Sequence, residues 1–438
     1  MSFSIDRQTL EELNLLGKFR EGSVYGLFNR VKTRGGEKLL NQLFLHPLQE
    51  AAAINQRSAV FHFFQQAALS FPFDPQEVAL MREYLDAGTR KTAFMALLGM
   101  LVKKGLSGLI RDERYKKDVQ GLQATIGVLK GCYDFLALAG SAKGPYEARI
   151  RDMVHLLADT RLEKLGKVDI YQSLSVNTIA YYDHLLKRRL LPVMQEILSF
   201  IDELDVNIAV SGVARAGGFT YARALPAPKN VLFAEGLRHP CLHGAVGNSI
   251  SLRKDRNVLF LTGANMAGKS TLMKSLGIGV YLAHMGFPIA ATHMEFSVRE
   301  GLYSSINVAD NIGLGYSHFY AEVVRVKQAA EAAASGKRLL LMFDELFKGT
   351  NVKDAYDGTL AITEAFSEYR ECLFIVSTHI IEVGEALKDR SNIHFVYMPT
   401  IMEGVHPRYT YRLREGITED RQGMLIIRNE GILELIGK

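Results

Sequence analysis

The stretch Leu261-Thr-Gly-Ala-Asn-Met-Ala-Gly-Lys-Ser-Thr271 decides how the rest of the chain reads. Gly263 is followed by four residues and then by Gly268-Lys269-Ser270, the spacing of a phosphate-binding loop. Both flanks fit. Asn257-Val-Leu-Phe-Leu-Thr262 is a short apolar run suited to a buried strand. Lys269 to Met285 carries Leu272, Leu276, Val280 and His284 at near-helical spacing and stops at Gly286. Two glycines let the backbone turn tightly with no Cβ in the way. The amides along Gly263, Ala264, Asn265, Met266, Ala267 and Gly268, and the helix start at Lys269, Ser270 and Thr271, are then expected to face phosphate oxygens. Lys269 brings a point charge to the β- and γ-phosphates. The Ser270 hydroxyl is an oxygen ligand of the kind Mg2+ takes in such loops.

Two further apolar runs end in polar groups. Arg338-Leu-Leu-Leu-Met-Phe343 runs into Asp344-Glu345. The first acid suits orientation of Mg2+ and its water shell, and the second suits positioning and deprotonation of an attacking water. An acid pair after a strand also serves as a helix N-cap; the complete phosphate loop upstream favours catalysis. Cys372-Leu-Phe-Ile-Val-Ser-Thr-His379 delivers His379 to a strand end, where a histidine can sense a γ-phosphate. Most histidines at strand ends are structural, so His379 gains its weight from the other two motifs.

The 438 residues are enough for two to four domains, and 48% hydrophobic with 23% charged residues is ordinary globular composition. The net charge of +5 permits nucleic-acid contact without demanding it. Cys132, Cys241 and Cys372 lie far apart, with neither metal spacing nor a disulfide framework, which fits a reducing cytoplasm. No signal peptide is visible at the N-terminus. The longest apolar run, Ala93 to Val102, stops at Lys103-Lys104 and is too short to span a bilayer.

Residues 1–225 read as mostly helical, with Gly35-Gly36, Pro72 and Gly144-Pro145 as turn signals. Leu225-Pro-Ala-Pro-Lys-Asn230 disfavours helix and places a domain boundary near residue 228. Basic clusters dot this half: Lys32, Arg34, Lys38; Lys103, Lys104, Arg111, Arg114, Lys116, Lys117; Lys187, Arg188, Arg189. Each reads as a solvated face, or as a set of phosphate contacts if DNA is the partner.

These residues carry a resemblance. Gly263-Ala-Asn-Met-Ala-Gly-Lys-Ser-Thr271 resembles the phosphate loop of the MutS family of DNA mismatch-repair ATPases, and its Asn265-Met266 pair is more particular than the generic loop. Arg238-His239-Pro240 resembles the Arg-His-Pro opening that family's ATPase domain. Ser317-His-Phe-Tyr-Ala-Glu322 is similar to its signature, keeping Ser317, Phe319 and Glu322. Asp344-Glu345-Leu-Phe-Lys-Gly-Thr350 resembles Asp-Glu-x-x-Arg-Gly-Thr, with Lys348 in place of arginine, and Asp357-Gly358 also fits. Gly22 to Thr33, Gly36, Leu39-Leu40, Pro47-Leu48 and Ile54 to Arg57 are similar to the start of the family's core and lever region.

The resemblance implies a helical core and lever domain at 1–228, all helical, followed at 229–438 by an α/β ATPase domain of the ABC type. It implies ATP and Mg2+ as cofactors, DNA as partner, and a homodimer in which Ser317 contacts the γ-phosphate bound by the opposite subunit. ATP hydrolysis at such composite sites would drive clamp-like opening and closing on DNA in mismatch repair or related repair. Against the family pattern, the chain starts almost directly at the core region. The expectation is therefore a short member without the mismatch-reading and connector domains and without the clamp. His243-Gly-Ala-Val-Gly-Asn-Ser249 lacks the aromatic that the family places there to stack on adenine. Two other readings stay open: a recombination or DNA-structure factor using the same engine, and a nucleotide-gated module that binds a protein rather than DNA.

Overall fold

All six residues of Val258–Gly263 are buried, and the strand has a parallel neighbour on each side. An unbroken apolar run of this kind is satisfied inside a sheet covered on both faces. The structure is a computed structural model, and it describes residues 3–17, 22–87, 113–139, 143–169, 175–306, 318–403, 406–418 and 435–436. Seven strands form the main sheet: β1 (Ser4–Ile5), β2 (Val258–Gly263), β3 (Gly301–Ser305), β4 (Leu339–Asp344), β5 (Leu373–Ser377), β6 (Ile393–Met398) and β7 (Arg414–Glu415). Their order is β1-β3-β4-β5-β2-β6-β7, parallel throughout except for the β6/β7 pair.

Register decides what the sheet can do. Asp344 pairs with Ser377, and Ser377 with Leu261, so the carboxyl ends of β4, β5 and β2 line up along one edge. Ligands collect at this edge in open α/β sheets. Helix α1 (Arg7–Glu12) follows β1; α2 (Lys269–His284), α3 (His318–Ala334) and α4 (Val352–Ser367) belong to the same unit. The core on one side of the sheet holds Phe343, Phe366 and Phe374 in a continuous stack. A four-stranded sheet lies in the same unit, with strands in the order Arg223–Leu225, His293–Ser297, Val231–Leu237 and Asn248–Arg253.

The chain forms two compact units: Met1–Phe28, Phe44–Ser58 and Val213–Lys438 in the first, and Asn29–Leu43 and Ala59–Gly212 in the second. The start of the chain departs from the all-helical expectation. Ser4 and Ile5 pair in parallel with Gly301 and Leu302 as an edge strand of the main sheet. Side chains fasten this arm. Asp6 caps α1 by accepting from Thr9 N–H at 2.8 Å. The buried Arg325 guanidinium of α3 donates to both Asp6 carboxylate oxygens and, at 2.8 Å, to Thr9 Oγ1.

The second unit is helical in its described residues, with Pro75–Asp86, Glu113–Ala139, Glu147–Leu157, Thr160–Gly166, Val176–His184 and most of Leu191–Gly217 packed on Phe64, Leu122, Ile126, Phe200 and Ile201. Two details differ from the sequence expectation. Gly35-Gly36 is no turn; it lies in the first turn of the helix starting at Arg34. Lys187 is no solvated cation. It is buried on a π-helical turn, Leu185–Arg189, with its ammonium 2.7 Å from Asp183, 3.6 Å from Asp118 and 3.7 Å from the centre of the Tyr84 ring. An unpaired buried ammonium costs several kcal/mol, so a lysine here requires that cage. Ala93 to Val102, Lys103, Lys104 and Arg111 lie outside the described residues. Among the described residues, no helix is long and apolar enough to cross a membrane.

Candidate nucleotide site

The loop after β2 turns as its glycines require. Gly263 has φ +147° and Gly268 φ +103°, conformations that side chains rarely adopt. Between them Met266 is left-handed at φ +67° and Ala267 N–H donates to Ala264 O at 3.2 Å, closing a tight turn. Asn265 and Met266 are exposed, Ala267 is buried, and Thr271 lies in the exposed part of the first turn of α2. Lys269 is buried, and its ammonium donates to Gly263 O at 2.9 Å and Ala264 O at 3.1 Å. Burial lowers its proton affinity, against the opposing pull of Glu345 and Asp344.

The end of β4 meets this loop. Ser270 Oγ donates to Asp344 Oδ2 at 2.5 Å. Asp344 is buried, which raises its carboxyl above the usual range while the Ser270 bond lowers it. Its other oxygen, Oδ1, is buried and has no partner within hydrogen-bond geometry among the described residues, while the nearby Ser377 hydroxyl also favours the charged form. A hydroxyl and a buried carboxylate with an unused lone-pair set form an all-oxygen donor pair, which fits Mg2+. Among the described residues, no group of three or more His, Cys, Asp or Glu side chains could hold a metal by itself. Two protein oxygens alone suit an ion that completes its shell with phosphate oxygens and water.

Glu345 stands next, left-handed at φ +52°, with its N–H donating to Ser377 O at 2.8 Å. Three nitrogens lie near its carboxylate: Lys269 Nζ at 4.0 Å, Lys348 Nζ at 3.9 Å and His379 Nδ1 at 3.8 Å. These separations exceed hydrogen-bond length. They bring loop, acid and strand-end histidine to one place, with His379 itself exposed. The turn after Glu345 packs against the start of α3 through Phe347 and Phe319, whose rings lie 6.0 Å apart. Ser317 lies outside the described residues.

The resulting cavity, about 690 Å³, is lined by Lys269, Ser270, Asp344 and Glu345 at one end and by His239, Leu242, Ala245, Val246, Asn248 and Tyr411 elsewhere. His239 accepts from Cys241 N–H at 3.3 Å, and burial lowers its basicity. Arg238 does not line the cavity; it donates to Gly217 O at 2.8 Å and lies over the Phe219 ring.

Tyr411 escaped the sequence reading. A Cβ at Gly268 would meet its Cδ1 at 3.0 Å, so an aromatic ring borders the phosphate loop although none precedes β2. The only sequence cue was an aromatic pair, Tyr409 and Tyr411, in the otherwise polar run from Arg408 to Arg412. Of the seven non-glycine residues with positive φ among those described, Met266, Glu345, Phe347 and Tyr411 lie in or beside this cavity. Backbone strain concentrates at functional sites, and this clustering agrees with the motif reading.

Comparison with known proteins agrees. The family model described as MutS domain V matches residues 259–436, and that described as MutS domain III matches residues 8–211. The chain is 26% identical over 234 residues to the DNA mismatch repair protein spellchecker 1 of Drosophila melanogaster, covering 52% of this chain and 25% of that protein. It is 27% identical over 249 residues to the DNA mismatch repair protein MutS of Streptococcus pyogenes serotype M1, covering 55% of this chain and 28% of the relative. With the MutS of Lactococcus lactis subsp. cremoris strain SK11 the figures are 25% over 270 residues, 60% and 31%. The matched stretches thus span about a quarter to a third of these curated relatives.

Proposed function

The chain belongs to the MutS family, and we propose that it is an ATPase that couples nucleotide binding and hydrolysis to action on DNA. The observation that carries this reading is the convergence of Lys269, Ser270, Asp344 and Glu345 on one cavity at the carboxyl edge of the sheet, with His379 Nδ1 3.8 Å from Glu345. In this proposal residues 1–228 are the core and lever portion and 229–438 the ABC-type ATPase portion, with the N-terminal arm Ser4–Glu12 built into the ATPase sheet.

The loop from Gly263 to Thr271 holds the phosphates. Lys269 exchanges its bonds to Gly263 O and Ala264 O for β- and γ-phosphate oxygens. Ser270 and Asp344 hold Mg2+, which when bound supplies charge neutralisation on the phosphate oxygens. Glu345 positions the attacking water and takes its proton, and His379 contacts the γ-phosphate. Preorganised charge and position account for most of the rate. Tyr411, which lines the same cavity, would face the base. Lys32, Arg34, Lys38, Lys116, Lys117, Arg188 and Arg189 are exposed cations available to DNA phosphates.

The test is ATP turnover with and without Mg2+, together with binding to homoduplex, mismatched and branched DNA across a salt series. The expected results are Mg2+-dependent turnover and an affinity for DNA that falls as salt rises, because phosphate contacts release counterions. Failure to bind ATP overturns the site. ATP turnover without DNA binding at low salt favours the protein-interaction reading, and preference for branched over mismatched DNA favours the recombination reading.

A further inference from the structure

Asn248 is buried at the start of the strand Asn248–Arg253 and lines the cavity. Its amide reaches across to a segment 163 residues later. Nδ2 donates to Tyr411 O at 2.9 Å, and Oδ1 accepts from Leu413 N–H at 2.8 Å. One planar amide thus satisfies the main chain on both sides of Arg412. A second fastening lies just upstream, where Thr410 Oγ1 donates to Pro399 O at 3.1 Å. Between these anchors Tyr411 is held at φ +55°, a conformation that a tyrosine keeps only when its surroundings impose it.

We infer that Asn248 is a positioning residue for the base-binding end of the site, acting through Tyr411. Each polar atom of its amide serves the Tyr411–Leu413 backbone, and Nδ2 also lies 3.5 Å from Val246 O, so the side chain is committed chiefly to holding main chain. Tyr411 shares the cavity lining with the apolar Leu242, Ala245 and Val246, a surface that suits the flat face of a purine. The groups that would hold phosphate belong to other residues, the amides of the loop after β2, Lys269 and the first turn of α2, and the Tyr411 ring borders that loop at Gly268. The two ends therefore contribute to affinity through different residues. Loosening the clasp removes the base-dependent share of binding and leaves the phosphate share. The inference rests on reading the cavity as a nucleotide site.

Calorimetric titration of the full chain with ADP and with inorganic pyrophosphate separates the two shares. Asn248→Ala is expected to weaken ADP about tenfold, the scale of one lost stacking surface, and to leave pyrophosphate affinity unchanged. Tyr411→Ala should do the same, and the double variant should be no weaker than Tyr411→Ala alone, because both changes remove one wall. Asn248→Ser is the companion variant, keeping a small polar side chain should the alanine fail to fold. Additive losses in the double variant, wild-type ADP binding by both Asn248 variants, or equal weakening of ADP and pyrophosphate would each overturn the inference. A wild-type chain that binds pyrophosphate but no ADP overturns it while leaving the phosphate loop standing. A chain that binds neither removes the nucleotide reading itself.

Discussion

Ser270 donates its hydroxyl proton to Asp344 across 2.5 Å, joining the first turn of α2 to the end of β4 at the carboxyl edge of the sheet. Asp344 is buried, which raises its carboxyl, and the Ser270 bond works the other way by favouring the charged form. Ser270→Ala removes that stabilisation and the proposed metal ligand together. We expect Mg2+-dependent ATPase activity to fall about tenfold or more. The acid limb of kcat/KM against pH should move to higher pH, since the carboxylate must be charged to hold Mg2+. A variant whose activity falls with no movement of that limb would show that Ser270 does not tune Asp344.

Glu345 should separate binding from turnover. The amide in Glu345→Gln cannot take a proton from water, so turnover is expected to drop about a hundredfold or more while ATP still binds. Lys269→Ala should weaken ATP binding itself. Single-turnover hydrolysis beside equilibrium ATP titration distinguishes the two, and near-normal turnover by Glu345→Gln contradicts the role assigned to it.

His284 forecasts acid sensitivity. It is fully buried in α2, where Nδ1–H donates to Leu48 O at 2.8 Å and Nε2 accepts from Arg299 N–H at 3.2 Å. The bond accepted at Nε2 requires the neutral ring, and burial lowers the pKa from 6.5 to about 4 against the opposing pull of the Leu48 carbonyl. The folded value lies below the unfolded one, so the unfolded chain takes up a proton first as pH falls. The stabilisation is complete above pH 6.5 and is lost progressively down to about pH 4, amounting to about 3 kcal/mol. Urea unfolding midpoints across that window should show the decline. In His284→Gln the slope over the same window should be visibly flatter, and an unchanged slope would assign the acid sensitivity to other groups.

Gly36→Ala tests a close approach. In an ordinary helix alanine is favoured over glycine by about 1 kcal/mol. Here a Cβ would lie 2.5 Å from Asp205 Oδ2, an oxygen that accepts from Thr33 N–H at 2.7 Å and Thr33 Oγ1 at 2.8 Å. The carboxylate cannot swing away without releasing those donors. The sign should therefore invert, with Gly36→Ala destabilising by about 1–3 kcal/mol in equilibrium unfolding. A stabilised variant would show that Asp205 relaxes freely.

The nucleotide end of the fold was legible because its chemistry is local. Gly263 to Thr271 must be contiguous to wrap a phosphate, and Asp344-Glu345 and His379 each follow an apolar run that can only be a buried strand. Register then brings them together. Tyr411 was not legible, because it reaches the phosphate loop only through the return of the chain after β6, and no spacing rule links residue 411 to residue 268. Lys187 misled because its sequence neighbours Arg188 and Arg189 are exposed, whereas of its own partners only Asp183 is local and Asp118 and Tyr84 are distant in sequence. The strand Ser4–Ile5 is two residues long, too short for any periodicity to mark it, and it is specified by Arg325 and Gly301 from the other end of the chain.

The last expectation concerns assembly. The family resemblance assigns Ser317 to the γ-phosphate of the opposite subunit, and α3 begins at the next residue, His318. A serine hydroxyl and the positive end of a 17-residue helix both stabilise a phosphate anion, and a residue at such a start can cap the helix as well. If the ATP sites are composite, lesions in two chains combine in a definite way. Let one chain carry Lys269→Ala and the other Ser317→Arg, each inactive alone. In the mixed dimer one site collects both lesions and the other neither. Random exchange makes about half the dimers mixed, each with one intact site of two, so about a quarter of wild-type activity should return in a two-fold symmetric assembly. Heterodimer formation is followed independently, with differently tagged chains. Heterodimers that form and hydrolyse nothing would rule out composite sites that fire independently, and wild-type turnover by the Ser317→Arg homodimer would place Ser317 outside the site altogether.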